Sequence, residues 1–289
     1  MTRLAVSVVI PTFNGAHVIG QQLEALSGQR DAPPFEVVVA DNGSTDQLAN
    51  AVSKWRSHLD SLRIVDASGR QGVSFARNVG IAAAHTDRIL LCDADDAVSE
   101  GWVAALDHGL DLHPLVSGPV ETTLLSGRSA GWVPIPTLTT DLFQTWGGRT
   151  YGIGCNLGLR RDVWAEVGGF DENYPAGAEE IDFAWRADDA GYVAGYVPDA
   201  LVHYRIRTDL RSVLRKQFSS GRGSATLYAK FRPAEVVPKS ALRRAHHEAL
   251  LLRSFPWRGS ADSRRQWLCT VAFEAGKLLE ARRLGTPAP

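Results

Sequence analysis

An α/β fold is predicted, with a mostly parallel sheet flanked by helices and a helical C-terminal segment. Three observations predict it. Four apolar, β-branched runs punctuate the first hundred residues, helix-length amphipathic segments separate them, and polar clusters stand where the runs end. In open sheets of this kind ligands bind outside the carboxyl ends of the strands, so those clusters are the first candidates for function.

The elements follow in order. Val6–Ile10 reads as a buried strand, and the segment after it places Val18, Ile19, Leu23 and Leu26 on one helical face over 16–27. Phe35–Ala40, Leu62–Val65 and Arg88–Cys92 are the next strands, with helices expected over 46–59 and 73–84. After Ser117 the pattern loosens, and 117–150 reads as loops and short strands. Regular signals resume at 160–167, as a helix at 178–190 and as a short strand pair over 192–206. From Thr208 onward the reading is helical.

Composition bounds the class. Of 289 residues, 44% are hydrophobic and 22% charged, which is ordinary globular usage and excludes a disordered or fibrous chain. The length allows one large domain, or one with an appendage. A net charge of -1 conceals two opposed parts: residues 1–204 carry 13 basic and 26 acidic side chains, residues 205–289 carry 18 and 6. Cys92, Cys155 and Cys269 are odd in number and lack metal spacing, which suggests a reducing, cytoplasmic setting. The run before Pro11 is too short for a secretion signal, and no stretch approaches a membrane span. The 26 arginines against 5 lysines suit a GC-rich, bacterial genome. Nucleic acid is not an expected partner.

Five clusters offer chemistry. Asp93-Ala94-Asp95-Asp96 ends an apolar strand, and carboxylates one residue apart there can share Mg²⁺ or Mn²⁺; an acidic turn capping the next helix explains them equally well. Asp41 opens the turn Asn42-Gly43-Ser44-Thr45-Asp46, either to accept a bond from a base or sugar or to build an Asx turn. Arg77 and Asn78 lie on a helix after Gly72, where a cation can approach a diphosphate. Glu179, Glu180 and Asp182 crowd a helix N-terminus, which the macrodipole favours; crowding also raises carboxylate pKa, as a general base requires. His203 lies in a strand-like run and is a metal ligand only if Asp95 is its neighbour in space.

Together these residues resemble the family 2 glycosyltransferases with the GT-A fold, a Rossmann-like sheet. The resemblance runs from Val6 to about Tyr204 and rests on the order and spacing of several segments. These are Val6–Asn14, Asp41–Asp46, Ala76-Arg77-Asn78-Val79-Gly80, Asp93–Asp96, Gly168-Gly169-Phe170-Asp171-Glu172, and Glu179–Asp182 ahead of Trp185-Arg186. It implies a catalytic domain over 1–206, with a donor-binding half to about 116 and an acceptor and base half over 117–206. The basic helical region 207–289 follows.

The resemblance also implies roles. Pro11, Thr12, Phe13, Asn14, Asp41, Gly43 and Ser44 would hold the nucleotide of a nucleoside-diphosphate sugar, with uracil or thymine suiting Asp41. Arg77, Asn78, Asp93 and Ala94 would complete the donor side. Asp95 and His203 would bind the divalent cation. Glu180 would be the base of an inverting transfer to a hydroxyl, although the family's usual aspartate is replaced by this Glu-Glu pair, so Glu179 and Asp182 also stand as candidates. The acceptor (a glycan, a lipid-linked or a small molecule) would meet Trp132, Trp146, Tyr151 and Asn156 in the 127–160 region.

Other readings are weaker. The turn after the first strand lacks GxGxxG, Gly152-Ile153-Gly154 lacks the strand–helix context of a dinucleotide site, and no P-loop exists. The alternative from another class is a non-catalytic nucleotide-sugar-binding or scaffolding protein of the same fold, for which the Glu-Glu departure speaks. In 207–289, Leu210, Val213, Leu214 and Phe218 share a face beside Arg211, Arg215 and Lys216. Trp267, Leu268, Val271, Leu278 and Leu279 recur between Arg264/Arg265 and Arg282/Arg283. Such faces suit peripheral docking at an anionic inner membrane surface, packing on the catalytic domain, or a homodimer.

Overall fold

The computed structural model describes residues 3–126, 131–174, 177–237, 246 and 249–289. Parts of the expected acceptor segment (127–130) and of the C-terminal region (238–245, 247 and 248) lie outside the described residues.

Seven strands form the main sheet in the order β11-β6-β10-β4-β1-β2-β3. They are β1 (Val6–Thr12), β2 (Phe35–Asp41), β3 (Leu62–Asp66), β4 (Arg88–Cys92), β6 (Leu115–Ser117), β10 (Asn156–Arg160) and β11 (Ala194–Tyr196). All neighbours pair in parallel except β10, which runs against both β4 and β6. The parallel, mostly α/β architecture is as expected.

Side-chain alternation along β1 shows how two cores arise from one strand. Val6, Val8 and Ile10 pack against α1 (Ile19–Ser27), α2 (Leu48–Ser53) and α4 (Trp102–Leu112). Val9 faces the other way, toward α3 (Val73–Ala83), α5 (Arg161–Glu166) and α6 (Glu179–Asp189). The helices therefore cover both faces, and the polar strand ends are left at one edge.

Helix α4 and strand β10 are among the elements that have no counterpart in the sequence reading. In α4, Trp102 is fully buried and its indole N–H donates to Asn156 Oδ1 at 2.8 Å. Strand β10 carries Gly158 where a side chain would meet Val116 and Leu90, so its alternation is weak in sequence. The expected strand pair over 192–206 is corrected. β11 joins the main sheet beside β6, whereas β12 (Val202–His203) joins a second sheet between β5 (Ala97–Val98) and β7 (Val120–Glu121). A third, two-stranded sheet pairs β8 (Phe143–Gln144) with β9 (Thr150–Tyr151).

The C-terminal region is a helical hairpin of α7 (Leu210–Phe231) and α8 (Ala261–Arg283). Asp209 caps the first by accepting the Ser212 N–H, and Ser260 caps the second by accepting that of Ser263. Close approach explains the glycines at their crossing. A Cβ on Gly221 would lie 2.0 Å from the Phe273 carbonyl, and one on Gly276 2.0 Å from that of Phe218. Gly223 likewise lets α7 rest on the Gly177 carbonyl, just before α6. The hairpin is thereby set against the sheet's polar edge.

Candidate active site

The carboxyl ends of β1 and β2 are tied to each other before any ligand arrives. Asn14 takes a left-handed conformation (φ 52°), which asparagine tolerates better than most residues. Its N–H donates to Ser44 Oγ at 2.9 Å and its Oδ1 accepts the Thr45 N–H at 2.8 Å. Asp41 lies opposite Thr12 in the strand register, and its Oδ1 accepts the Ser44 N–H, closing an Asx turn across Gly43 (φ 82°). The turn interpretation of Asp41 thus holds for one of its oxygens.

A cavity of about 540 Å³ opens over these loops, lined by Pro11, Thr12, Phe13, Asn14, Ala94 and both Asp93 and Asp95. Phe13 is 54% exposed, a large apolar ring left facing solvent at a strand end. A second cavity, of about 700 Å³, lies beyond the end of β4. Its walls include Arg77, Glu179, Glu180, Trp146 and Tyr151, and again Asp93 and Asp95. The two carboxylates therefore stand where the cavities meet. That is the organising fact of the site.

Charge is arranged in layers behind them. Arg77 is buried (3% exposed), lies over the Phe170 ring, and reaches Asp93 at 3.5 Å and Glu179 at 3.1 Å. Glu179 also accepts the Gly177 N–H, so both its oxygens are taken. Asp182 is wholly buried between Arg186 and Lys230. Glu180 differs: among the described residues its Oε2, out of water, has neither a hydrogen bond nor an ion pair, whereas the Asp182 oxygens are held by Arg186 and Lys230. Burial, reinforced by the Glu179 charge, pushes its carboxyl up to about 8.

Asp96 and Cys155 lie behind the junction. Their ligand atoms and that of Asp93 fall within 4.8 Å of one another. Burial raises both the Asp96 carboxyl and the Cys155 thiol well above their ordinary values, which disfavours their charged forms. They are poor ligands for a hard cation. Asp95, on the wall of both cavities with Asp93 beside it, offers the oxygen chemistry that Mg²⁺ and Mn²⁺ take.

Five expected residues are engaged elsewhere in this structure. Asn78 spends its amide on Phe170, Glu172 and Trp164, fixing the Gly168–Glu172 loop instead of facing a donor. Asp182 is buried and held in ion pairs with Arg186 and Lys230. His203 gives Nδ1 to Glu121 Oε1 at 2.6 Å and lines neither cavity that Asp95 lines. Trp132 is buried against Val213 and Cys269 of the helical hairpin. Asn156 is fully buried, donating to the Pro119 and Ala200 carbonyls and accepting from Trp102. Asp41, Gly43 and Ser44 line neither cavity themselves and act on the smaller one through their ties to Asn14.

Helix α7 supplies residues that sequence reasoning did not assign to the site. Ser212, Arg215, Lys216, Ser220, Ser224 and Leu227 line the larger cavity, joined by Tyr204 and Arg207 from the loop before the helix. The Lys216 ammonium donates to the Tyr204 hydroxyl and lies 5.1 Å from its ring centre. The three- and four-residue spacing of these α7 positions is a readable helical face. Its basic residues suit a membrane surface, a second copy or packing on the catalytic domain alike, and the structure shows the last of these.

Comparison with known proteins agrees with this architecture. The chain is 28% identical to glycosyltransferase AglE of Haloferax volcanii over 94% of its length and 95% of that protein's. It is 30% identical to the pre-mycofactocin glycosyltransferase of Mycobacterium tuberculosis over 81% of its length, spanning 49% of that relative. The mannosyltransferase PcManGT from Pyrobaculum calidifontis, solved with GDP-Man and Mn²⁺, superposes with a TM-score of 0.60 at 22% identity, over 96% of this chain and 87% of that one. TarS 1–349 of S. aureus, solved with UDP, gives 0.56 at 20% identity, over 98% and 92%. These likenesses establish the GT-A fold. The model of glycosyl transferase family 2 matches residues 7–168, more than half of the chain, and the chain belongs to that family.

Proposed function

We propose that this glycosyltransferase moves a hexosyl group from a nucleoside-diphosphate sugar to an acceptor hydroxyl with inversion, using Glu180 as the base. One observation carries the reading: an unpartnered, desolvated carboxylate oxygen on Glu180 in the cavity that Asp93 and Asp95 share with the nucleotide side. The acceptor oxygen bonds to the anomeric carbon as that carbon's bond to the diphosphate breaks. Glu180 takes the hydroxyl proton, and the nucleoside diphosphate leaves with the bonding pair. Glu179 and Asp182 are held by cations, and Asp93 and Asp95 stand on the nucleotide side of the cavity, which favours a single displacement, and that inverts.

The donor's base packs on Phe13, beside the loop that Asp41 and Ser44 hold in place through Asn14. Neighbours of the same fold bind UDP and GDP-Man, which supports a nucleotide-sugar donor. Mg²⁺ or Mn²⁺ would be held by Asp95 with Asp93, and when bound it neutralises charge on the diphosphate. Trp146 and Tyr151 offer ring faces to the acceptor.

The region 207–289 is assigned a peripheral contact with an anionic, cytoplasmic membrane face. Trp257 (80% exposed) and Leu252 (65%) stand beside Arg253 and Arg258, the pairing of apolar and basic groups that such surfaces attract. Among the described residues no helix is long and apolar enough to cross a membrane.

The test is a thermal-shift panel of UDP-, dTDP- and GDP-sugars with and without Mn²⁺, followed by turnover of Asp95→Ala and Glu180→Gln. Loss of transfer in both variants, and of cation-dependent donor binding in Asp95→Ala, is expected. Unchanged turnover in both would remove the catalytic assignment and leave the binding or scaffolding alternative.

A further inference from the structure

Beside the larger cavity lies a third, of about 290 Å³, whose wall is mostly apolar: Val133, Pro134, Ile135, Phe143, Ile206 and Val213. The two share Ile153, Tyr204, Arg207, Lys216 and Ser220. Arg207 and Lys216 thus stand at the boundary between an apolar chamber and the chamber that holds Glu180, and Arg207 also reaches the smaller cavity beside Asp93 and Asp95. Among the described residues neither cation has a carboxylate within 4.0 Å, and Lys216 spends one donor on Tyr204. Two cations outside ion-pair distance of any described carboxylate, at the mouth of an apolar cavity, suit an anion attached to an apolar chain.

We infer that the acceptor is an amphiphile: its apolar chain lies among Phe143, Ile206 and Val213, its phosphate-type anion between Arg207 and Lys216, and its hydroxyl-bearing head reaches toward Glu180. This rests on the transfer reading above and names the substrate class for the acceptor side of the same site. The order of chemistry along the wall fixes the order of groups in the ligand. A neutral soluble sugar leaves both cations and the apolar chamber unused. A free phosphate leaves the chamber unused.

The experiment is calorimetric titration of the full chain with octyl phosphate below its micellar concentration, beside 1-octanol, octyl glucoside and inorganic phosphate. Octyl phosphate is expected to bind at least about tenfold more tightly than each of the others, as one charge-assisted contact supplies. Pro134→Asp, an exposed position that puts a carboxylate in the apolar wall, and Arg207→Gln are each expected to weaken it about tenfold. Binding is expected to persist with saturating nucleoside diphosphate. Equal affinity for octyl glucoside, indifference to both variants, or displacement by the nucleoside diphosphate would overturn the inference. The same titration with nucleotide sugars keeps the two readings apart: donor binding without octyl phosphate binding overturns this inference alone, whereas absent donor binding overturns the donor assignment.

Discussion

Arg77 joins Asp93 to Glu179 through the interior, with nitrogens 3.5 Å from the first and 3.1 Å from the second. It links the end of β4, where the two cavities meet, to the turn of α6 that bears the proposed base. Burial opposes the guanidinium charge, yet its two carboxylate neighbours raise its pKa further. Neither end of this bridge is free to move without the other.

Replacing Arg77 by methionine keeps much of the volume and strands two carboxylates. A stability loss of about 3–5 kcal/mol is expected, the usual result of breaking a buried pair from one side. Urea unfolding of Arg77→Met against wild type measures it, and a loss within experimental error would mean the bridge is not formed.

The raised pKa of Glu180 sets a pH profile. A base must be ionised to accept a proton, so kcat/KM is expected to climb with pH and level off above about 8. The linkage to stability has the opposite sign. A carboxyl whose folded pKa lies above its unfolded value favours folding in the protonated form, so that contribution fades as pH rises from about 4.5 through about 8. Glu180→Gln should lose about 10²–10⁴ of activity and lack this fade. Chemical denaturation at pH 5 and 9 compares the two, and an identical pH slope would count against the shift.

Asn156→Leu separates support from substrate contact. The Pro119 and Ala200 carbonyls and the Trp102 indole lose their partners, at about 1–3 kcal/mol for each buried group left unmatched. The expected signature is a lower Tm with an unchanged acceptor KM in the folded enzyme. A raised KM at normal stability would restore the acceptor role.

Gly221→Leu tests whether the hairpin builds the wall of the site. No side chain fits 2.0 Å from a carbonyl, so α7 and α8 must part. Acceptor KM is expected to rise while nucleotide binding, measured by calorimetry, stays within about twofold, a difference of roughly 0.4 kcal/mol. Equal loss of both would show that the hairpin supports the whole fold.

Trp257→Ser with Arg253→Ser and Arg258→Ser addresses the membrane contact. Co-sedimentation with phosphatidylglycerol vesicles should fall in the triple variant and, for wild type, weaken with added salt. A sedimentation-velocity shift from dimer to monomer in its place would assign this surface to a second copy.

The sequence was most readable where one element decided the outcome. Continuous apolar strands read correctly because burial on both faces leaves no other pattern, and the polar ends of β1, β2 and β4 marked the cavity edges. Residues whose role depends on a distant partner were not readable. Nothing local distinguishes Glu180 from Glu179; the difference is that Arg77, about a hundred positions earlier, takes one and leaves the other. His203 answers to Glu121 and Asn156 to Trp102, partners set by sheet pairing and by helix α4. The face of α7 was visible, but only the glycine crossing with α8 says which way it turns.

That orientation separates two kinds of evolutionary freedom. The donor end is cross-tied among β1, β2 and β4, so a change there disturbs several loops at once. Part of the opposite wall is one face of one helix, where Ser212, Arg215, Ser220 and Ser224 stand apart from the sheet. A lineage built on this scaffold can therefore alter that helix face far more readily than the cross-tied loops.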